Sequence, residues 1–222
     1  MSFTGFTQKE FDIFDLPDFK VRMPTLKQEI TPKLKNLGED LLARVEISLD
    51  QPLFLHVAQH LRRTVNPPEE TWVAFSPAQR AYKPFVHIRA AIRGECMRIL
   101  VFCEDYAEDK PIFANCLLHN AANLSKYCAD HPEIVNYDLK DDTGKPLSGL
   151  NITPDKLTLL SERLNKYKGQ HAAFGIELQR DLTIMRSGKK LVDEILRSID
   201  VLKPFYLCGT SPSYEFEYIP NV

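Results

Sequence analysis

The chain has 222 residues, 44% of them hydrophobic and 26% charged, with a formal net charge of −2 and a pI near 6.3. This is ordinary globular composition, long enough to bury one good core, and its slight acidity excludes a broad nucleic-acid-binding surface, which would carry a basic excess across the domain. The longest apolar run, residues 99–103, falls far short of the roughly 18–20 residues that cross a bilayer, and the first ten residues carry no secretory or transit signal. The expectation is therefore a cytoplasmic protein without a membrane segment.

Thr7 and Glu10 form a capping box with Phe6 and Phe11 as its hydrophobic staple, which predicts a short helix from Gln8 that Pro17 ends. A second helical stretch covers residues 19–30. Thr31-Pro32 then reads as an N-cap with proline in the first helical position, and Leu34, Leu37, Leu41, Leu42 and Val45 carry that helix to about Ser48. Beyond Leu53 the period changes. Residues 71–75 read as a strand entered through Asn66-Pro67-Pro68. Val86, Ile88, Ala90 and Ile92 alternate with His87, Arg89, Ala91 and Arg93, predicting a strand with one buried and one polar face. After Gly94-Glu95, the apolar run 97–103 reads as its buried hairpin partner.

Helical spacing returns over 109–128, residues 140–151 read as a polar surface loop prone to disorder, and Thr153-Pro154 opens a helix on Leu157, Leu160 and Leu164. Residues 171–178 read as a strand and 187–203 as a last amphipathic helix stopped by Pro204. These elements imply an α+β fold: one domain over residues 1–208, with a mostly antiparallel sheet of about five or six strands and a similar number of helices, and a C-terminal tail over 209–222. Five widely spaced cysteines without a Cys-x-x-Cys pair suit buried thiols in a reducing compartment better than disulfides or a zinc site.

The segment with chemical potential is 54–93. Residues 54–63, FLHVAQHLRR, fit a helix through Phe54, Val57, Ala58 and Leu61, or a strand with Leu55, Val57 and Leu61 inward; His56 and His60 share a face either way. A helix would set the two imidazoles roughly 6 Å apart, close enough for one metal ion, and a strand roughly 13 Å apart. The strand is preferred, because the segment runs through a proline turn into another strand, and Val57 stands where a zinc-protease motif needs glutamate. Arg62, Arg63, Arg80, Lys83, Arg89 and Arg93 make the segment locally positive. Guanidinium groups on strands grip phosphate or carboxylate bidentately, and Trp72, Tyr82 or His87 could offer a flat ring. No nucleophile elbow, phosphate-cradling glycine loop or dinucleotide fingerprint is present.

The strings His56-Val57-Ala58-Gln59-His60, Arg62-Arg63-Thr64-Val65-Asn66-Pro67-Pro68, Thr71-Trp72-Val73-Ala74-Phe75 and Tyr82-Lys83 resemble the YktB-like family of uncharacterised bacterial proteins. Phe3-Thr4-Gly5-Phe6, Arg22-Met23 and Pro32-Lys33-Leu34 fit it too. Gln59, Glu70 and Ala81 depart from its pattern of lysine, aspartate and glycine. The resemblance implies a compact α+β fold of bacterial cytosolic type and supplies no activity. The leading expectation is a binding module whose His56, His60, Arg62, Arg63, Trp72, Arg80, Lys83 and His87 hold an anionic partner, a phosphorylated small molecule or a short nucleic-acid strand, with no cofactor and no metal. The alternatives are a hydrolase or transferase using His56 or His60 as general base, and an interaction protein whose polar segment is only a solvated face.

Overall fold

The computed structural model describes residues 2–220. Seven strands form one antiparallel sheet in the order β1-β2-β3-β4-β7-β5-β6: β1 (Phe54–Val57), β2 (Glu70–Ser76), β3 (His87–Arg93), β4 (Cys96–Cys103), β5 (Val135–Lys140), β6 (Pro146–Ser148) and β7 (Ala172–Gln179). The strand count is slightly above the expected one and the α+β class is as read. The chain divides into two compact units. The first comprises the chain up to Gln79, with Arg89–Ile99 and Glu177–Asp200; the second comprises Arg80–Ile88, Leu100–Ile176 and the chain from Val201 on.

In the first unit the capping box forms as its residues dictate: the Glu10 carboxylate accepts the Thr7 backbone N–H at 2.6 Å and opens helix α1 (Gln8–Asp12). Helix α2 (Phe19–Thr25), a π turn (Leu26–Ile30) and helix α3 (Thr31–Leu49) run on without a break. The expected N-cap at Thr31 is therefore corrected: Thr31 is itself helical, and its hydroxyl turns back to the Leu26 carbonyl at 3.3 Å. Pro24 and Pro32 both lack an N–H, and the chain absorbs the missing rungs in the wider π turn between them. Leu34, Leu37, Leu41 and Val45 are buried as the spacing predicted. Gly38 lets α3 lie close on the sheet, since a Cβ there would run into the side chains of Leu55 and Val73.

The second unit holds helices α4 (Lys110–His119), α5 (Ala121–Asp130) and α6 (Pro154–Lys166), the last capped by the Thr153 hydroxyl. Helix α7 (Gly188–Thr210) runs through Pro204 instead of stopping there. Phe205, Tyr206 and Cys208 are fully buried, and Phe205 stacks on Phe174 at 4.1 Å, so tertiary packing outweighs the rung lost at the proline. The residues expected to form a loose loop, 140–151, are instead a turn, β6 and a short 3-10 helix (Gly149–Asn151). Asp141 closes that turn by accepting the backbone N–H groups of Thr143 and Lys145.

One cysteine pair corrects the reading of five thiols. Cys116 on α4 and Cys208 on α7 form a disulfide, with their Cα atoms 5.2 Å apart. Cys96, Cys103 and Cys128 stay free and buried, and burial raises all three thiols, Cys96 to about 11, which leaves them unreactive. The segment after α7 lies on α4 and α5: Asn120 bonds the backbone of both Tyr214 (3.1 Å) and Phe216 (2.8 Å), and the Phe216 ring meets Tyr127. Residues 221–222 of the expected tail lie outside the described residues.

Candidate functional site

Strand β1 pairs antiparallel with β2, His56 opposite Ala74 and Val57 opposite Val73, and the Ala58 N–H adds one more rung to Trp72. Extended backbone ends there. His60 takes a left-handed conformation, φ 50°, and the chain leaves the sheet in a loop that returns at Glu70. His56 and His60 therefore do not share a strand face, a correction to the alternation read from the sequence, and Leu61, expected inward, is 81% exposed. The loop turns on itself through the Arg63 N–H to the His60 carbonyl. Arg22 braces it from α2 by donating to the Pro68 carbonyl at 3.2 Å.

Trp72 is half-buried on β2. The Arg89 guanidinium of β3 lies 4.6 Å from its ring centroid, and the His60 ring meets the indole edge-on at 5.3 Å. Arg89 is only 4% exposed, and all of β3 except Arg93 is buried. The polar face expected for this strand is thus covered, with the Arg89 guanidinium buried against the Trp72 ring. Glu70, two residues before Trp72 on the same side of β2, is ion-paired with Arg98 of β4.

Around these groups a cleft of about 650 Å³ is lined by Arg63, Asn66, Pro67, Glu69, Glu70, Trp72, Arg93 and Arg98. Three guanidiniums face two carboxylates, one of which Arg98 already holds. Arg63 and Arg93 have no carboxylate within ion-pair distance among the described residues, and Arg63 reaches only the Asn66 and Pro67 carbonyls at 3.4 and 3.5 Å. Such a cleft offers forked, planar donors to a phosphate or carboxylate beside an aromatic ring. A second cleft of about 430 Å³ shares Arg63 with it and is lined also by His60, Phe19, Lys20, Met23, Pro24, Lys27 and Leu61.

Of the expected site residues, the structure gathers His60, Arg63 and Trp72. His56 lies apart from them on β1, its Nε2 donating to the Ala78 carbonyl at 2.8 Å, so that nitrogen is already committed. Arg62 points from the exposed loop and lines neither cleft. Arg80, Lys83 and His87 belong to the second unit. There Arg80 is exposed, Lys83 Nζ lies 3.9 Å from Glu104, and His87 is fully buried, its Nδ1 bonded to the Phe85 carbonyl and its ring against Tyr82 and Phe102. His87 is core packing there and not a presented ring. Among the described residues, no three His, Cys, Asp or Glu side chains are grouped to hold a metal ion.

Sequence reasoning missed Arg98 and left Arg93 outside the site. Arg98 is the one charged residue in an otherwise apolar strand run, and that was its signal. It also missed a pair in the second unit, His171 Nε2 and Asp138 Oδ1 at 3.0 Å, whose carboxylate is fixed by the Ala173 N–H at 2.6 Å. Burial pushes the Asp138 carboxyl up and the His171 charge opposes it. His171 also stacks on Phe102 at 5.6 Å.

An antiparallel α+β sheet protein with an arginine-lined cleft beside one tryptophan is the class that fold and site define. Residues 6–206 match the family model described as "Domain of unknown function (DUF1054)", and the chain belongs to that family. A UPF0637 protein of Listeria monocytogenes serotype 4a is 31% identical over 209 residues, covering 93% of this chain and 98% of its own. UPF0637 proteins of Shouchella clausii (28% identical, 93% and 95% covered) and Lactococcus lactis (29%, 90% and 96%) align over similar lengths. These relatives are bacterial, in agreement with the YktB-like resemblance. Among the described residues no helix is long and apolar enough to cross a membrane.

Proposed function

We propose that the protein is a binding module for an anionic, phosphate-bearing ligand, seated in the first unit's cleft between the 58–69 loop and strands β2 to β4. The observation that carries this reading is the convergence of Arg63, Arg93 and Arg98 with Trp72 on one hollow, where only Arg98 is neutralised by a carboxylate. Arg63 and Arg93 supply the charge, Trp72 the ring surface, and His60 flanks the indole. Arg89, stacked behind Trp72, adds positive potential without touching the ligand.

A ligand that binds only the folded chain raises its stability by about 2.7 kcal/mol at a hundred times its Kd. Pyrophosphate or a nucleoside monophosphate is expected to raise the Tm of the wild type, and Arg93→Ala to lose that shift while keeping the unliganded Tm. A Tm indifferent to every phosphate compound would sink the reading. We further propose a cytoplasmic location, which the YktB-like resemblance implies; three of the five cysteines stay unpaired, while the Cys116–Cys208 disulfide points the other way. Cell fractionation tests that placement, and recovery outside the cytoplasmic fraction would reverse it.

A further inference from the structure

The two clefts that meet at Arg63 differ in a way that bears on the size of the occupant. The larger holds Trp72 with Arg93, Arg98 and the carboxylates of Glu69 and Glu70, the latter paired with Arg98. The smaller holds Lys20, Lys27 and His60 over an apolar floor of Phe19, Met23 and Leu61, and no carboxylate lines it. The loop between them is exposed from Leu61 to Asn66, and its apolar side chains, Leu61 at 81% and Val65 at 72% exposure, are interleaved with Arg62 and Arg63. The smaller hollow thus sets cations beside an apolar floor, and the larger sets Arg63 and Arg93 beside the indole. A single small phosphate occupies only part of one of them and leaves the cations of the other unanswered.

Building on the anion-binding reading, we infer that the occupant is a short single-stranded nucleic acid, its phosphodiesters tracking Lys20, Lys27, Arg63 and Arg93 and its bases lying on Trp72 and on the Phe19–Leu61 floor. Single-strand binders combine a positive groove along the backbone with ring surfaces for successive bases. Phosphates here meet side chains and not a glycine-rich loop, so recognition follows charge spacing and ring contact rather than base sequence. The site is confined to these two hollows, which reconciles strand binding with an overall charge of −2.

Trp72 is the only tryptophan in the chain and lines the larger hollow, so its emission reports occupancy directly. The full-length protein is titrated with pyrophosphate, thymidine monophosphate, oligothymidylates of increasing length, and a duplex of the same length. Affinity is expected to rise with strand length until both hollows are covered and then level off. Four phosphate contacts predict a slope of log K on log salt of about −3, since each contributes about −0.7 in a single strand. The double variant Lys20→Ala/Lys27→Ala is expected to lose about half that slope and to bind the monophosphate as the wild type does. Equal affinity for monophosphate and strand, equal affinity for the duplex, or a double variant that binds strands like the wild type would each overturn the inference and leave the anion-binding reading standing. No response of Trp72 to any phosphate would overturn both.

Discussion

Replacing Asp109 with asparagine tests how the second unit tolerates a carboxyl that it buries. Asp109 stands at the head of α4, and its Oδ2 accepts the Val86 N–H at 2.6 Å. Its other oxygen, Oδ1, is buried without a hydrogen-bond partner. Burial outweighs the stabilising backbone bonds and pushes the carboxyl from 3.8 up to about 6. A carboxyl raised in the folded state binds its proton more tightly there than in the unfolded chain. Its contribution to stability is complete below about pH 4 and is lost as pH rises through about 6. From 3.8 to about 6, at about 1.4 kcal/mol per pH unit, the loss amounts to about 3 kcal/mol at most. Asparagine keeps an acceptor for Val86 and cannot ionise. In urea unfolding from pH 4 to pH 8, the stability of Asp109→Asn relative to wild type is therefore expected to climb by up to about 3 kcal/mol, mostly between pH 4 and 6.5. A difference that stays flat with pH, or falls, would refute the reasoning, because other titrating groups cancel between the two proteins.

Gly38→Ala gains about 1 kcal/mol of helix propensity, yet overpacking against Leu55 and Val73 costs about 1–3 kcal/mol, so chemical denaturation is expected to show a net loss. Reducing Cys116–Cys208, or replacing both with serine, reopens a loop closed over 92 residues and is expected to lower stability by about 4–5 kcal/mol in the chain-entropy model; an unchanged denaturation midpoint in dithiothreitol would contradict the pairing. Asn120→Ala removes the amide that holds Tyr214 and Phe216. Faster hydrogen exchange and proteolysis at 214–218 are the expected outcome, with protection elsewhere retained.

The parts of this fold that were legible in the sequence are those where local and tertiary preferences agree. The capping box at Thr7 and Glu10 and the leucine spacing of α3 are of that kind. Strand β5 was not legible. Asn136 is fully buried in it and its side-chain oxygen accepts the N–H groups of Asp138 and Leu139, so a register shift interrupts the alternation that marks a strand. Pro204 misled for the opposite reason: a strong local stop signal yields to the fully buried Phe205, Tyr206 and Cys208 beyond it.

For the site, sequence proximity put Arg63 and Trp72 in one neighbourhood, and both line the larger cleft, but it could not show that His60 turns left-handed or that Arg89 lies buried against the indole. Arg98 was hidden by its apolar neighbours and is brought to Glu70 only by strand pairing. The Cys116–Cys208 contact spans 92 positions, and no spacing rule reaches that far.

The claim on which the functional account rests is that Arg63 and Arg93 together form an anion seat beside Trp72. Crystals soaked in tungstate give the most direct test, since the heavy oxyanion is located by its own anomalous scattering. The account predicts a peak in hydrogen-bond range of both guanidiniums, absent from Arg63→Ala/Arg93→Ala crystals. An empty cleft with tungstate bound elsewhere on the protein would contradict it.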